Sequence, residues 1–374
     1  MINVQYIGMT KEEVLFLLVR SALWGDKIKD KELSPQAYAA IMELADKQTL
    51  TGLVCHALIE NNVRLQKIDA VNTYAVQRDI VNQNKVLTFE LVALTTLLQR
   101  YDIHFAVVKG QILSVKYPRP DIRVPGDIDF YCSSDHFPKA LEVICREWQV
   151  EIDDSEFEES RHITFVHNGV VFEMHDSLSR FSSVRYRKYF EKWLEEAPTN
   201  DVVVNGVSVP VLEPTLNLVY TFNHLWKHLI ELGVGLRQFC DIAVLLKERY
   251  MQMGSRSDEL VERLMHLGLM RPFKVVEGVL KNKLGVDDIF LPIPISSKDV
   301  KYEKMILDIV YRRGNFGKYG RKNAVRSGWR YYVEALGVKL RHYGQLFWLC
   351  PREHLAALCK VVPAKIVRSL LRNH

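Results

Sequence analysis

The spacing of apolar residues changes period near residue 103 and changes back near residue 213, and this double switch restricts the fold more than any single motif. Before it, apolar residues recur at helical spacing. Thr10-Lys11-Glu12-Glu13 has the Thr-x-x-Glu pattern of a capping box ahead of a run to Trp24. Ser34-Pro35 opens a second helix, with Pro at a tolerated first-turn position, and a third covers about Leu50 to Glu60. Residues 68–100 form one long pattern whose polar middle, QRDIVNQNK, predicts a helix lying along the outside of a domain. Inside the window, the runs Phe105–Val108, Ile128–Tyr131, Val150–Ile152, Ile163–Val166 and Val170–Met174 are short and apolar or alternating, as strands are. Residues His136 to Trp148, between two of these runs, return to helical spacing. Asn168-Gly169 and Asn205-Gly206 are two-residue hairpin signals, the second joining Val202–Val204 to Val207–Val211. The window therefore reads as an α+β domain on a mixed sheet, flanked by helices. The organisation expected is 1–102 helical, 103–212 sheet core and 213–374 helical with a basic end.

The stretch Phe105 to Tyr131 carries the chemistry. Its apolar run ends in Lys109-Gly110, a Pro-bearing loop with Arg123 follows, and then comes Gly126-Asp127-Ile128-Asp129-Phe130-Tyr131. Carboxylates at i and i+2 of a strand share a face, so Asp127 and Asp129 are expected side by side, with Ile128 and Phe130 turned to a core. Hard oxygen donors beside a glycine turn suit a Mg-nucleotide. Glu173, in the run Val170 to His175, is a third carboxylate on a strand, and His175 shares its face. Burying such a group is costly unless it is paired or ligates a metal. Three carboxylates on adjacent strands form a two-metal arrangement for phosphoryl or nucleotidyl transfer. For the anionic substrate, Gly110 permits close backbone approach, while Lys109 and Arg123 supply cations. The competing structural readings are a solvent-facing Asp pair, a cross-strand salt bridge for Glu173, and a surface or salt-bridged Lys109.

Taken together, Lys109-Gly110, Tyr117-Pro118-Arg119-Pro120, Arg123, Gly126 to Asp129, Glu173-Met174-His175, and Arg237 with Asp241 resemble an uncharacterised bacterial nucleotidyltransferase family of the polymerase-β-like superfamily. The resemblance implies a nucleotidyltransferase core flanked by helices. It implies two Mg²⁺ ions on Asp127, Asp129 and Glu173, and transfer of a nucleoside monophosphate from an NTP to an acceptor. The catalytic residues implied are Asp127, Asp129 and Glu173, with Lys109, Gly110 and Arg123 binding nucleotide. The chain departs from the wider superfamily in having Gly110-Gln111 where Gly-Ser or Gly-Gly is usual, which leaves the phosphate grip to Lys109 and Arg123. A nucleotide- or RNA-binding protein without catalysis, on the same fold, is the rival reading.

His224 and His228 are spaced i, i+4 on a helix, a spacing able to bind Zn²⁺, but no Glu lies between them as in HExxH and no third ligand follows. His175, His228, Arg237 and Asp241 are therefore taken as accessory positions, the last two as an i, i+4 helix pair.

Charge is uneven along the 374 residues, whose net charge is +5. From Lys318 onward there are twelve Lys and Arg against Glu334 and Glu353, a formal +10. Before it stand 38 basic and 43 acidic residues, a formal −5. Such an end concerns partners rather than fold. Three readings stand: a solvated helical face; nucleic acid, through Arg312, Arg313, Lys318, Arg321, Lys322, Arg326 and Arg330 among Trp329, Tyr331 and Tyr332; or an anionic membrane surface, through the cation-flanked apolar residues from Phe347 to Leu371. The six cysteines form no CxxC pair, the N-terminus has no signal-peptide pattern, and no stretch of about 18 apolar residues occurs; a cytoplasmic protein is expected.

Overall fold

A computed structural model describes residues 8–29, 32–152, 161–254, 258–319 and 329–361. The chain divides into two compact units, Met1–Leu178 with Pro198–Asn217, and Ser179–Ala197 with Leu218–His374.

The first unit begins with α1 (Lys11–Trp24), α2 (Pro35–Lys47) and α3 (Thr51–Glu60). Their starts follow the expected caps. Thr10 Oγ1 accepts from the Glu13 amide at 3.2 Å while Glu13 accepts from the Thr10 amide at 2.7 Å, and Ser34 Oγ accepts from the Ala37 amide. These paired bonds satisfy amides that a helix start leaves without intrahelical partners. The helix α4 (Lys67–Arg100) runs 34 residues, about 50 Å at 1.5 Å per residue. Its polar middle does not simply face outward. Asn84 within it and Glu90 beyond it are buried, in phase with Ile80, Leu87, Leu91, Leu94 and Leu98, while Val86 and Phe89 are exposed. The reason is that both polar groups hold the sheet and its loops, as described below.

Then follow β1 (Phe105–Val108), the five-residue α5 (Gly110–Ser114), β2 (Ile128–Cys132), α6 (Phe137–Trp148), β3 (His162–His167) and β4 (Val170–His175). The helix α7 (Val184–Glu196) interrupts the strands and belongs to the second unit; β5 (Thr199–Val204) and β6 (Val207–Leu212) complete the sheet. The order is β3-β4-β2-β1-β6-β5. The pairs β1/β6 and β2/β4 are parallel, and β1/β2, β3/β4 and β5/β6 antiparallel, so the sheet is mixed, as the sequence predicts. Both hairpins turn at the expected dipeptides: Asn168 and Gly169 have φ of 48° and 78°, Asn205 and Gly206 46° and 81°. Two successive positive φ values match the twist of the flanking strands.

One strand was misplaced by sequence. Among the described residues, Val150–Ile152 pairs with no strand and is irregular chain. Its alternating apolar residues directly follow the left-handed cap of α6 at Gln149 (φ 53°). The helix α7 has no clear sequence signal, because its charged face masks the buried trio Tyr186, Phe190 and Trp193.

The second unit is helical: α8 (Pro214–Glu231, which enters it at Leu218), α9 (Leu236–Met253), α10 (Asp258–His266), α11 (Met270–Leu284), α12 (Val300–Arg313), α13 (Trp329–Leu346) and α14 (Pro351–Ala356). Its core is aromatic, with Phe222 and Phe273 edge to face at 4.7 Å and Trp226 buried. The Glu353 carboxylate accepts from the Ser182 and Ser183 amides at 2.5 and 2.9 Å, which caps the start of α7. Of the basic residues offered for nucleic acid, Arg321, Lys322 and Arg326 lie outside the described residues, as do Lys365, Arg368 and Arg372 of the membrane reading. No helix among the described residues is long and apolar enough to cross a membrane.

Candidate active site

The strand register brings the expected acidic residues together. In the parallel pair β2/β4, Asp129 stands beside Glu173 and Tyr131 beside His175. Directly paired residues share a face of the sheet, so Asp129, Glu173 and His175 project from one side. One donor atom from each of these three lies within 4.8 Å of the others. His175 Nε2 is 2.8 Å from Asp129 Oδ1 and 3.6 Å from Glu173 Oε2. Asp129 and His175 are buried, and Glu173 is half-buried at the rim. Asp127 is half-buried and lies one residue before β2.

Lys109 reaches the same carboxylate oxygen as His175. On β1, Val108 pairs with Asp129, so a further extended residue would turn its side chain to the opposite face. Instead Lys109 has φ 56° and ψ −147°, a region that non-glycine residues rarely occupy. Its Nζ lies 2.7 Å from Asp129 Oδ1, with side-chain exposures of only 12% and 3% for the pair. The backbone strain is tolerated where a charge-assisted bond to a buried carboxylate offsets it. Burial alone works to raise the Asp129 pKa; the Lys109 ammonium and the His175 ring outweigh it and hold the carboxyl well below the usual range. Gly110 follows with φ 43°, and a Cβ there would stand 2.9 Å from the Asp127 carbonyl oxygen. Only glycine lets this turn lie against the chain that carries Asp127.

Arg123 is buried at the end of the loop, and its backbone carbonyl is held by α4. Asn84 Nδ2 donates to the carbonyls of Asp121 and Arg123, each at 2.9 Å, and Gln111 Nε2 donates to Asn84 Oδ1 at 3.0 Å. One amide thus ties the loop of Arg123 to the turn after Lys109. Glu90 does the same for β4: it lies 2.6 Å from His167 Nδ1 and accepts from Asn168 Nδ2 at 2.9 Å, fixing the hairpin that leads to Glu173. Neither Asn84 nor Glu90 was singled out from sequence. Their spacing with Ile80, Leu87, Leu91 and Leu94, on the buried stripe of a helix, is the signal that finds them.

His228 and Arg237, with Asp241, are carried by α8 and α9 of the second unit. Asp241 is buried, and the rings of His224 and His228 lie 4.3 Å apart.

Two carboxylates and an imidazole around one point, with a buried anion among them, fit a divalent cation as a donor set. Among the described residues this is the single group of three or more such side chains so arranged. The six cysteines are free thiols, and burial pushes Cys55, Cys132 and Cys350 up to about 12, which removes them as nucleophiles at neutral pH.

No curated protein matches the sequence. Among solved structures the chain is similar to an antigenic nucleotidyltransferase-like protein from Paracoccidioides brasiliensis, at 17% identity and a TM-score of 0.33, over 54% of this chain and 93% of that one. Residues 34–278, which include every residue of the site, match the family model described as uncharacterised nucleotidyltransferase, and the chain belongs to that family.

Proposed function

We propose that the protein transfers a nucleoside monophosphate from an NTP to a hydroxyl or phosphate of an acceptor, in a cytoplasmic setting and on a core of the polymerase-β-like type. The observation that carries this reading is the buried Asp129, set beside Glu173 across two parallel strands and beside Lys109 at 2.7 Å. Divalent cations, Mg²⁺ in this reading and two in number, would be held by Asp127, Asp129 and Glu173. When bound, such ions would supply charge neutralisation of the triphosphate and a lowered pKa for the acceptor hydroxyl. The chain's own residues do the rest. Glu173, at the rim, orients the acceptor and takes its proton. Lys109 and Arg123 hold phosphate oxygens, and Gly110 lets the backbone approach them. The acceptor oxygen forms a bond to the α-phosphorus, and the bond from that phosphorus to the bridging oxygen breaks, releasing pyrophosphate. Catalysis is then positioning and charge neutralisation.

The test is metal-dependent release of pyrophosphate from each NTP in the presence of candidate acceptors. The reading predicts release by the wild type and none by the Glu173→Gln variant or by the paired change Asp127→Asn with Asp129→Asn, all folded by circular dichroism. Equal release by these variants overturns it.

One observation favours a second reading, nucleotide or RNA binding without catalysis: Lys109 already neutralises Asp129. NTP binding with no pyrophosphate release under any metal or acceptor selects that reading.

A further inference from the structure

We infer that the Asp129–Glu173–His175 group is a mixed nitrogen and oxygen seat for a first-row transition dication, with His175 Nε2 as a direct ligand. The inference deepens the transferase reading, places a transition dication rather than Mg²⁺ at one of its two metal sites, and rests on it for the location of the site.

Two ligand atoms each about 2.1 Å from one ion, at angles between about 90° and 110°, stand about 3.0 to 3.4 Å apart. His175 Nε2 stands 2.8 Å from Asp129 Oδ1 and 3.6 Å from Glu173 Oε2, which brackets that range. The ring is therefore already a neighbour of both carboxylates at coordination spacing, through the nitrogen distal to its backbone. It is also buried and set on β4, two residues from Glu173, so a ligand role needs no change of strand register. The cross-strand neighbour of His175 is His162, whose ring centroid lies 5.2 Å away. The imidazole thus sits on a strand between β3 and β2, against the His162 ring.

Donor chemistry then decides the class of ion. Mg²⁺ favours oxygen ligands and an octahedral shell rich in water. An imidazole nitrogen shifts preference toward Mn²⁺, Fe²⁺, Co²⁺ or Zn²⁺, in the Irving–Williams direction. An ion in this seat also meets Lys109, whose ammonium sits on the Asp129 oxygen that faces His175. The seat therefore exchanges one cation for another: as the ion enters, Lys109 leaves Asp129 and becomes available to a phosphate oxygen. The asymmetry separates this seat from an all-oxygen second site that includes Asp127.

The probe is Mn²⁺ on the full chain. Binding is followed by electron paramagnetic resonance, with Mg²⁺ as competitor, and nitrogen coupling by pulsed measurements on the bound ion. The inference predicts ¹⁴N coupling from one imidazole, and at least a tenfold excess of Mg²⁺ over Mn²⁺ for displacement from the tighter site. In His175→Gln the coupling disappears and Mn²⁺ affinity falls tenfold or more. The wild-type coupling stands as evidence even where that variant fails to fold. Bound Mn²⁺ with no ¹⁴N coupling, equal competition by Mg²⁺, or no Mn²⁺ binding overturns the inference. Pyrophosphate release is measured on the same protein with each NTP and the candidate acceptors added. Release without nitrogen coupling leaves the transferase reading standing and overturns the His175 ligand; coupling without release does the reverse.

Discussion

Replacing Lys109 by Met keeps the length of the stem and removes the ammonium, which isolates the charge interaction at the centre of the site. Asp129 retains 3% side-chain exposure and Lys109 12%, so neither water nor salt screens the pair. Breaking a buried ion pair by removing one partner costs about 3 to 5 kcal/mol, because the remaining charge is desolvated without compensation. For a body of this size that corresponds to roughly 10 °C in the unfolding midpoint. Adding Asp129→Asn to Lys109→Met removes the orphaned charge, and the double variant is expected to recover at least half of the loss. The pH dependence has a defined sign. In the wild type the Asp129 pKa is depressed on folding, so its contribution is present above the unfolded carboxylate value of about 4 and is lost as the pH falls through the lower folded value. In Lys109→Met burial acts with one counter-charge fewer, and the gap to wild type narrows on acidification. Urea denaturation at several pH values, with a double-mutant cycle, measures all of this. A loss below about 1 kcal/mol, unchanged by Asp129→Asn, refutes the account of a buried, energetically coupled pair.

Three further outcomes follow from the packing. Gly52→Ala would place a Cβ 1.9 Å from the Ile122 carbonyl oxygen, so α3 or the loop of Arg123 must move; a loss of about 3 kcal/mol or more is expected by thermal denaturation. Asn84→Leu leaves the Asp121 and Arg123 carbonyls without their donor, which should cost about 2 to 4 kcal/mol and raise the KM for NTP in a pyrophosphate-release assay. In the second unit, burial pushes the His342 and His354 imidazoles down to about 4. The unfolded chain binds these protons first, so stability is full above about pH 6.5 and falls between about 6.5 and 4, by about 3 kcal/mol per ring. Unfolding followed against pH should show this slope, and His354→Phe should flatten it.

The elements with local signals were legible in the sequence. The Thr10–Glu13 box and Ser34-Pro35 start helices where expected, and Asn168-Gly169 and Asn205-Gly206 turn hairpins, because each satisfies its own backbone within a few residues. The register that pairs Asp129 with Glu173 follows from two short strands with matching apolar faces. What escaped reading depends on residues far apart in the chain. Val150–Ile152 has strand composition but no partner strand among the described residues, and composition does not report partners. The Lys109 turn defeats the alternation rule because φ 56° for a lysine is stabilised by a carboxylate twenty residues on. Asn84 and Glu90 look like the solvated middle of a long helix until the carbonyls and the hairpin they bind are in place. The same limit applies to His175: the Glu-x-His spacing puts it on the face of Glu173, but its 2.8 Å approach to Asp129 depends on a neighbouring strand.

The central claim is that Asp129 and Glu173 support nucleotidyl transfer. Its most direct test is incubation of the protein with α-³²P-labelled NTPs, a divalent cation and a panel of small-molecule, RNA and protein acceptors. The account predicts label covalently attached to an acceptor by the wild type. It predicts none with Glu173→Gln, whose half-buried side chain leaves the Lys109–Asp129 pair in place. Undiminished labelling by a folded Glu173→Gln protein would contradict it.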